Sequence, residues 1–105
     1  MRLIWGVRVE TTNDLFLGGK VTALQPAKGY RAGVDAVLLA ASVPAKPGDT
    51  VLELGCGVGV ASLCLGARIA GLDITGVELQ SDYAGLASQN GLKVVNADLR
   101  DLPAG

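Results

Sequence analysis

Glu53, Glu78 and Asp98 each stand at the end of a short apolar run, 50–54, 73–77 and 93–97. If those runs are parallel strands of one open sheet, their carboxyl ends lie side by side, and ligands of such sheets bind outside those ends. Three carboxylates in phase would then line one edge of a single crevice. Taken singly, each is an ordinary polar residue at a strand terminus. The first is followed at once by Gly55-Cys56-Gly57-Val58-Gly59. Gly55 and Gly57 remove side chains where backbone must approach a ligand closely, and a helix starting after the loop would direct N–H groups at it.

The ligand chemistry follows from the charge beside the loop. A dinucleotide fingerprint is G-x-G-x-x-G/A, but here the sixth position is Val60 and the third glycine comes one residue early. Glu53, just before the loop, would repel a pyrophosphate and suits a ligand bearing an amino group and a sulfonium. Glu78 lies 19 residues beyond Gly59, near the spacing at which an acid accepts ribose hydroxyls, and its two oxygens can take both. Leu79 offers an apolar face for a purine ring. Asp98 can accept a hydrogen bond from an exocyclic amine, or serve the turn before Leu99.

The elements needed to hold these residues are legible in outline. Residues 50–54 read as a strand, 60–70 as a helix with Gly71 as C-terminal cap, and 73–77 as a second strand ending at Glu78. Ser81 caps a helix over 82–90 with Tyr83, Leu86 and Ala87 on one face, and Asn90-Gly91 turns into a third strand, 93–97. Strand–helix–strand–helix–strand is half of a doubly wound parallel sheet. Upstream, residues 11–14 read as a turn, and 15–17 with 20–24 as a β-hairpin around Gly18-Gly19. Residues 25–31 read as a loop. A helix starts near Val34 with Val34, Val37, Leu38 and Ala41 on one face, Asp35 in its first turn, and a stop at Pro44.

Composition bounds the class. Of 105 residues half are hydrophobic and 18% charged, with a net charge of -1, so the chain is globular and no strongly basic nucleic-acid binder. Residues 1–34 nevertheless carry a balance of +3 and the remainder -4. A basic N-terminal segment could meet phosphates, although an ordinary solvated surface explains it as well. Two cysteines, Cys56 and Cys64, with no histidine make a poor zinc site and no redox pair, so no metal is expected. No signal-peptide core and no long apolar run is present, which points to a cytoplasmic protein without a membrane partner.

Glu53–Gly59 resembles the first motif of class I S-adenosylmethionine (SAM)-dependent methyltransferases, and Val77-Glu78-Leu79 and Ala97-Asp98-Leu99 resemble the next two cofactor motifs. A narrower resemblance, over 14–90, is to the bacterial valine-tRNA adenine-N6 methyltransferases; it includes Gln25-Pro26, the stretch from Gly29-Tyr30-Arg31 through Asp35 to Ala40, and Tyr83. It implies an α/β fold, a Rossmann-like half-domain whose parallel sheet with flanking helices follows a β-hairpin and stops before the fourth strand. Residues 1–33 would form the N-terminal segment and 34–105 the partial cofactor domain. It further implies SAM as cofactor, with Glu53, Gly55, Cys56, Gly57 and Gly59 around its methionine end, Glu78 and Leu79 at the ribose and purine, and Asp98 and Leu99 at the adenine. The 31–35 segment would close over the cofactor, and Asp35 is either part of that closure or a helix-dipole partner. The partner implied is tRNA.

Two departures from the family pattern carry expectations. The segment 83–93 is short, so its helix should be stunted. The Asn-Pro-Pro-Tyr/Phe motif that would hold a flipped-out adenine after the fourth strand does not occur, so the chain should be inactive alone. Strand 50–54 should be left as an open edge, inviting self-association. The alternatives are a methyltransferase fragment acting on a small molecule or protein, a non-catalytic nucleoside-binding fragment, and, disfavoured by the glycine spacing, an NAD-dependent enzyme.

Overall fold

The computed structural model describes residues 2–4, 7–28, 33–98 and 100. Two antiparallel pairs come first. β1 (Arg2–Ile4) pairs with β2 (Val7–Val9), and β3 (Thr11–Phe16) with β4 (Val21–Pro26), in register from Thr11↔Pro26 to Phe16↔Val21. The expected glycine turn exists but is longer than a two-residue hairpin. Leu17, Gly18 and Gly19 all take positive φ (52°, 64° and 89°) before Lys20 returns to helical values.

The turn expected at 11–14 is instead most of β3, and Gln25 and Pro26, expected in a loop, complete β4. Polar residues that often make turns through their own side chains are used here across the hairpin. The Asp14 carboxylate accepts from Thr12 Oγ1 at 3.0 Å and from Gln25 Nε2 at 2.8 Å, and Gln25 is only 1% exposed. Along β4, Val21, Ala23 and Gln25 turn inward at the strand period.

α1 spans Val34–Ser42, as the Pro44 stop predicts, but its inward face is turned from the expected one. Ala40 is buried and Ala36 and Val37 pack against the core, while Val34 and Leu38 stand exposed. Small alanines at i and i+4 let the helix lie close to its neighbour, so packing overrides the larger side chains. That neighbour is α2, Val60–Arg68. Its last residue donates Nε to the Ala40 carbonyl (3.2 Å) and Nη2 to the Val43 carbonyl (2.5 Å).

The sheet has β5 (Thr50–Leu54), β6 (Asp73–Glu78) and β7 (Lys93–Asn96), all parallel, in the order β5-β6-β7. α2 connects the first two and α3 (Ser81–Gln89) the last two. α3 is not stunted: it has nine residues, the same as α1 and α2. Ser81 is its first helical residue rather than its cap; Gln80 is the cap, without a side-chain bond. α2 ends on Ile69 and not on Gly71, whose φ of 80° serves the turn that follows. Leu86 and Ala87 are buried as expected, joined by Ala84 and Gly85, with Tyr83 half-buried.

One buried cluster joins Val21 and Ala23 of the hairpin to Ala40, Val58, Val60, Cys64, Leu65 and Leu86, and a second holds Cys56, Ala87 and Leu92. β5 is an open edge, with Leu52 and Leu54 more than half exposed. No helix among the described residues is long and apolar enough to cross a membrane.

Candidate cofactor site

The loop between β5 and α2 folds back on the central strand. Gly55 N and Cys56 N both donate to the Val77 carbonyl (2.8 and 3.0 Å), and Gly59 N donates to Cys56 O (3.0 Å). Gly55, Gly57 and Gly59 have φ of 72°, 58° and 95°, values that disfavour any side chain. The three glycines then part company. A Cβ at Gly55 or Gly57 would meet no protein atom within 4 Å, whereas one at Gly59 would stand 3.0 Å from Leu92 Cδ2. Gly59 is therefore pressed on the core, and the first two glycines face open space.

Glu78 closes the loop from the central strand. It is 7% exposed; Oε1 accepts from Gly57 N and Oε2 from Gln80 N, each at 2.8 Å. A carboxylate has about four acceptor positions, so two remain for a ligand. Beside it Leu79 is 63% exposed, an apolar face that no helix covers among the described residues. Asn96 Nδ2 holds the carbonyls of both Glu78 and Leu79 (2.9 and 3.0 Å).

On the other side of the loop is a cavity of about 260 Å³, lined by Asp35 and Leu39 of α1, Glu53 and Leu54 of β5, and Gly55 and Gly57. Among the described residues, none of those lining it has a cationic side chain. Asp35 thus reaches the loop, while its Oδ1 also accepts from Gly33 N at 3.2 Å. Glu53 Oε1 accepts from Ser62 Oγ at 2.5 Å, yet burial outweighs that bond and pushes the carboxyl above its ordinary value.

Cys56 lies in the loop, but its thiol is turned into the core, 8% exposed and packed with Ala87 and Leu92. Burial, with the Glu53 and Glu78 carboxylates nearby, pushes that thiol up to about 12, so it is inert. Asp98 is not brought to the cavity. Its Oδ1 accepts from the Arg100 backbone N and Nε, and its Oδ2 from Nη2 at 2.6 Å, which holds the carboxyl below its usual range. Leu99 and the 29–32 stretch lie outside the described residues.

Several working residues escape sequence reasoning. Ser62 is a hydroxyl on the apolar side of α2, and Gly76 is a lone glycine inside a strand; both are recognisable signals of a buried partner or a close approach. Asn90 and Asn96 carry no such signal, because turns and strand ends are where asparagine commonly sits.

The Glu53 carboxyl gives a testable pH dependence. Its value is raised in the folded chain, so the fold is favoured below the ordinary value of 4.5 and loses that share of stability as pH rises through the raised value. Glu53→Gln keeps an acceptor for Ser62 and removes the buried charge. The variant's urea midpoint should match the parent's below pH 4.5 and exceed it at neutral pH. A variant less stable than the parent at neutral pH would show that the charge is not a burden on the fold.

No family model matches the chain. It is 41% identical over 61 residues to a tRNA1(Val) (adenine(37)-N6)-methyltransferase of Yersinia enterocolitica, covering 57% of this chain and 24% of that protein. It is 38% identical over 76 residues to the enzyme of the same name from Dickeya chrysanthemi, covering 70% and 30%. The match thus spans less than a third of the length of each of these relatives. Among solved structures it matches an SAM-dependent methyltransferase from Agrobacterium tumefaciens with a TM-score of 0.60 and 22% identity, over 88% of this chain and 34% of that one. It also matches a coclaurine N-methyltransferase bound to N-methylheliamine and SAH (TM-score 0.59, 18% identity, 73% and 26%). These matches show the fold alone: an α/β arrangement with a three-stranded parallel sheet, shared with part of each of those two chains.

Proposed function

We propose, from a chain that has part of the class I methyltransferase fold and is similar in sequence to the tRNA1(Val) adenine-N6 methyltransferases, that it forms the SAM-binding portion of a methyltransferase whose whole protein modifies adenine N6 in tRNA. The observation that carries the reading is the glycine loop. Gly55 and Gly57 open onto free space between a cavity walled by Asp35 and Glu53 and the carboxylate of Glu78. Anionic walls at Asp35 and Glu53 fit the amino group and sulfonium of SAM and oppose a pyrophosphate.

When bound, SAM supplies a methyl group already activated by its sulfonium, so the protein's task is placement. Glu53 and Asp35 hold the cationic end over Gly55 and Gly57. Glu78 accepts the ribose hydroxyls with its two remaining acceptor positions, and Leu79 lies under the purine. Asp98 reaches the adenine amine on giving up part of its set of bonds to Arg100, whose own side chain is exposed. Residues 1–33 form the N-terminal segment and 34–105 the partial cofactor domain, and the protein works where tRNA is, in the cytoplasm.

Titration calorimetry with SAM, S-adenosylhomocysteine and NAD tests the cofactor. Binding of the first two without NAD is the expected result; NAD binding with no response to millimolar SAM would end the reading. In the whole protein, label from the SAM methyl should appear on N6 of a tRNA adenine, and label in a small molecule or a protein instead would reassign the acceptor. The open β5 edge also supports self-association of the 105-residue chain. Sedimentation velocity at rising concentration should show a growing faster boundary, which Leu52→Lys removes; a single monomer boundary throughout would count against it.

A further inference from the structure

Asn90 closes α3, with φ of -75° and ψ of -2°, and its side chain reaches two other parts of the chain. Oδ1 accepts from Leu24 N at 2.7 Å, and Nδ2 donates both to Leu24 O at 3.1 Å and to Val58 O at 2.9 Å. Leu24 is opposite Asn13 in the hairpin register, yet its own N–H and C=O turn the other way, to Asn90. The amide therefore acts as one extra peptide on the outer edge of β4, and its second N–H holds the glycine loop. One orientation of the amide satisfies all three partners, since one is a donor and two are acceptors. Val58 is 7% exposed, and the loop is pressed on the same region through Gly59 and Leu92.

We propose that Asn90 is a positioning residue for the glycine loop, and that through it the β3–β4 hairpin sets the conformation in which Gly55 and Gly57 stay open. The proposal rests on the reading of that loop as a cofactor cradle. The hairpin packs through Val21 and Ala23 in the same buried cluster as Val58 and Val60, and one side chain also bonds it to the loop backbone. Removing the amide frees Val58 and detaches Leu24 in one step.

Hydrogen exchange of the chain without ligand is the first test. Asn90→Ala should speed exchange of the Gly59 amide about tenfold or more, the effect of one lost hydrogen bond of typical strength, while β6 amides keep their protection. Asn90→Asp, which retains the acceptor for Leu24 N but turns an oxygen toward two carbonyls, should do the same or worse. In titrations, both variants should weaken SAM binding about tenfold. Unchanged exchange at Gly59, or an equal loss over loop and β6, overturns the proposal. Should both variants fail to fold, exchange of the unaltered chain in rising urea decides: Leu24 and Gly59 amides opening in one step supports the coupling, and Leu24 opening while Gly59 stays protected refutes it. Absence of SAM binding by the unaltered chain would reject the cofactor reading alone, because the exchange measurements contain no ligand.

Discussion

Alanine in place of Gly76 is expected to destabilise the chain by roughly 1–3 kcal/mol, the usual cost of forcing extra atoms into a packed interior. Gly76 is in the central strand, opposite Glu53 on one side and Val94 on the other. A Cβ there would stand 2.5 Å from Cys56 Sγ, 2.9 Å from Cys56 Cβ and 3.0 Å from Leu92 Cδ2. The thiol could rotate, but Cys56 Cβ cannot move without its backbone, which is bonded to Val77 O. The strain must therefore pass into the glycine loop. Urea denaturation of Gly76→Ala should show a lower midpoint and an unchanged slope, with Cys56→Ala restoring part of the loss in the double variant. A midpoint within error of the parent would mean that the strand and loop are not in the contact described.

The second large effect is expected at Glu78. Glu78→Ala leaves Gly57 N and Gln80 N without their acceptor, and a buried unpaired donor costs about 1–3 kcal/mol. Gln80 is exposed and water can serve it, so the loop at Gly57 takes most of the cost. On the proposed cofactor reading the loss for the ligand is larger, because Glu78 would then give up two charge-assisted bonds to the ribose along with its anchoring of the loop. SAM affinity should fall about a hundredfold or more, as expected from hydrogen bonds to a charged group. Glu78→Gln keeps the shape and one acceptor but sets an amide N–H₂ against a backbone N–H, and should fall between. If Glu78→Ala bound SAM as tightly as the parent, this carboxylate would have no part in the site.

The parallel half of the fold was legible because its signals are local. A short apolar run, a glycine loop and an amphipathic helix leave little freedom, and β5, α2, β6, α3 and β7 lie where those signals put them, within a residue or two at each end. The same holds for Asp35, Glu53 and the first two glycines, which meet at one cavity. What was not legible depends on pairing across the chain. Thr11–Asp14 has the composition of a turn, and its pairing with Ala23–Pro26, with Gln25 donating to Asp14 across the hairpin, makes it a strand. The inward face of α1 is decided by how near α2 can come, which no periodicity within α1 records. Cys56 reads as a cradle residue by its place between two glycines, and it lines the cavity with them, while its thiol packs on Ala87 and Leu92, a contact that no local signal records.

Arg68 joins two helix ends. A helix leaves its last carbonyls unfilled, and here Ser42 Oγ serves Leu39 while the guanidinium of α2's final residue serves Ala40 and Val43. Unwinding of the last turn of α2 therefore strips the end of α1 at the same moment, and the two cannot fray separately. α1 carries Asp35 at its opposite end, and α2 starts at Val60, just after Gly59. The acidic wall and the glycine floor of the cavity thus belong to one mechanical unit, clasped at the helix ends away from the cavity.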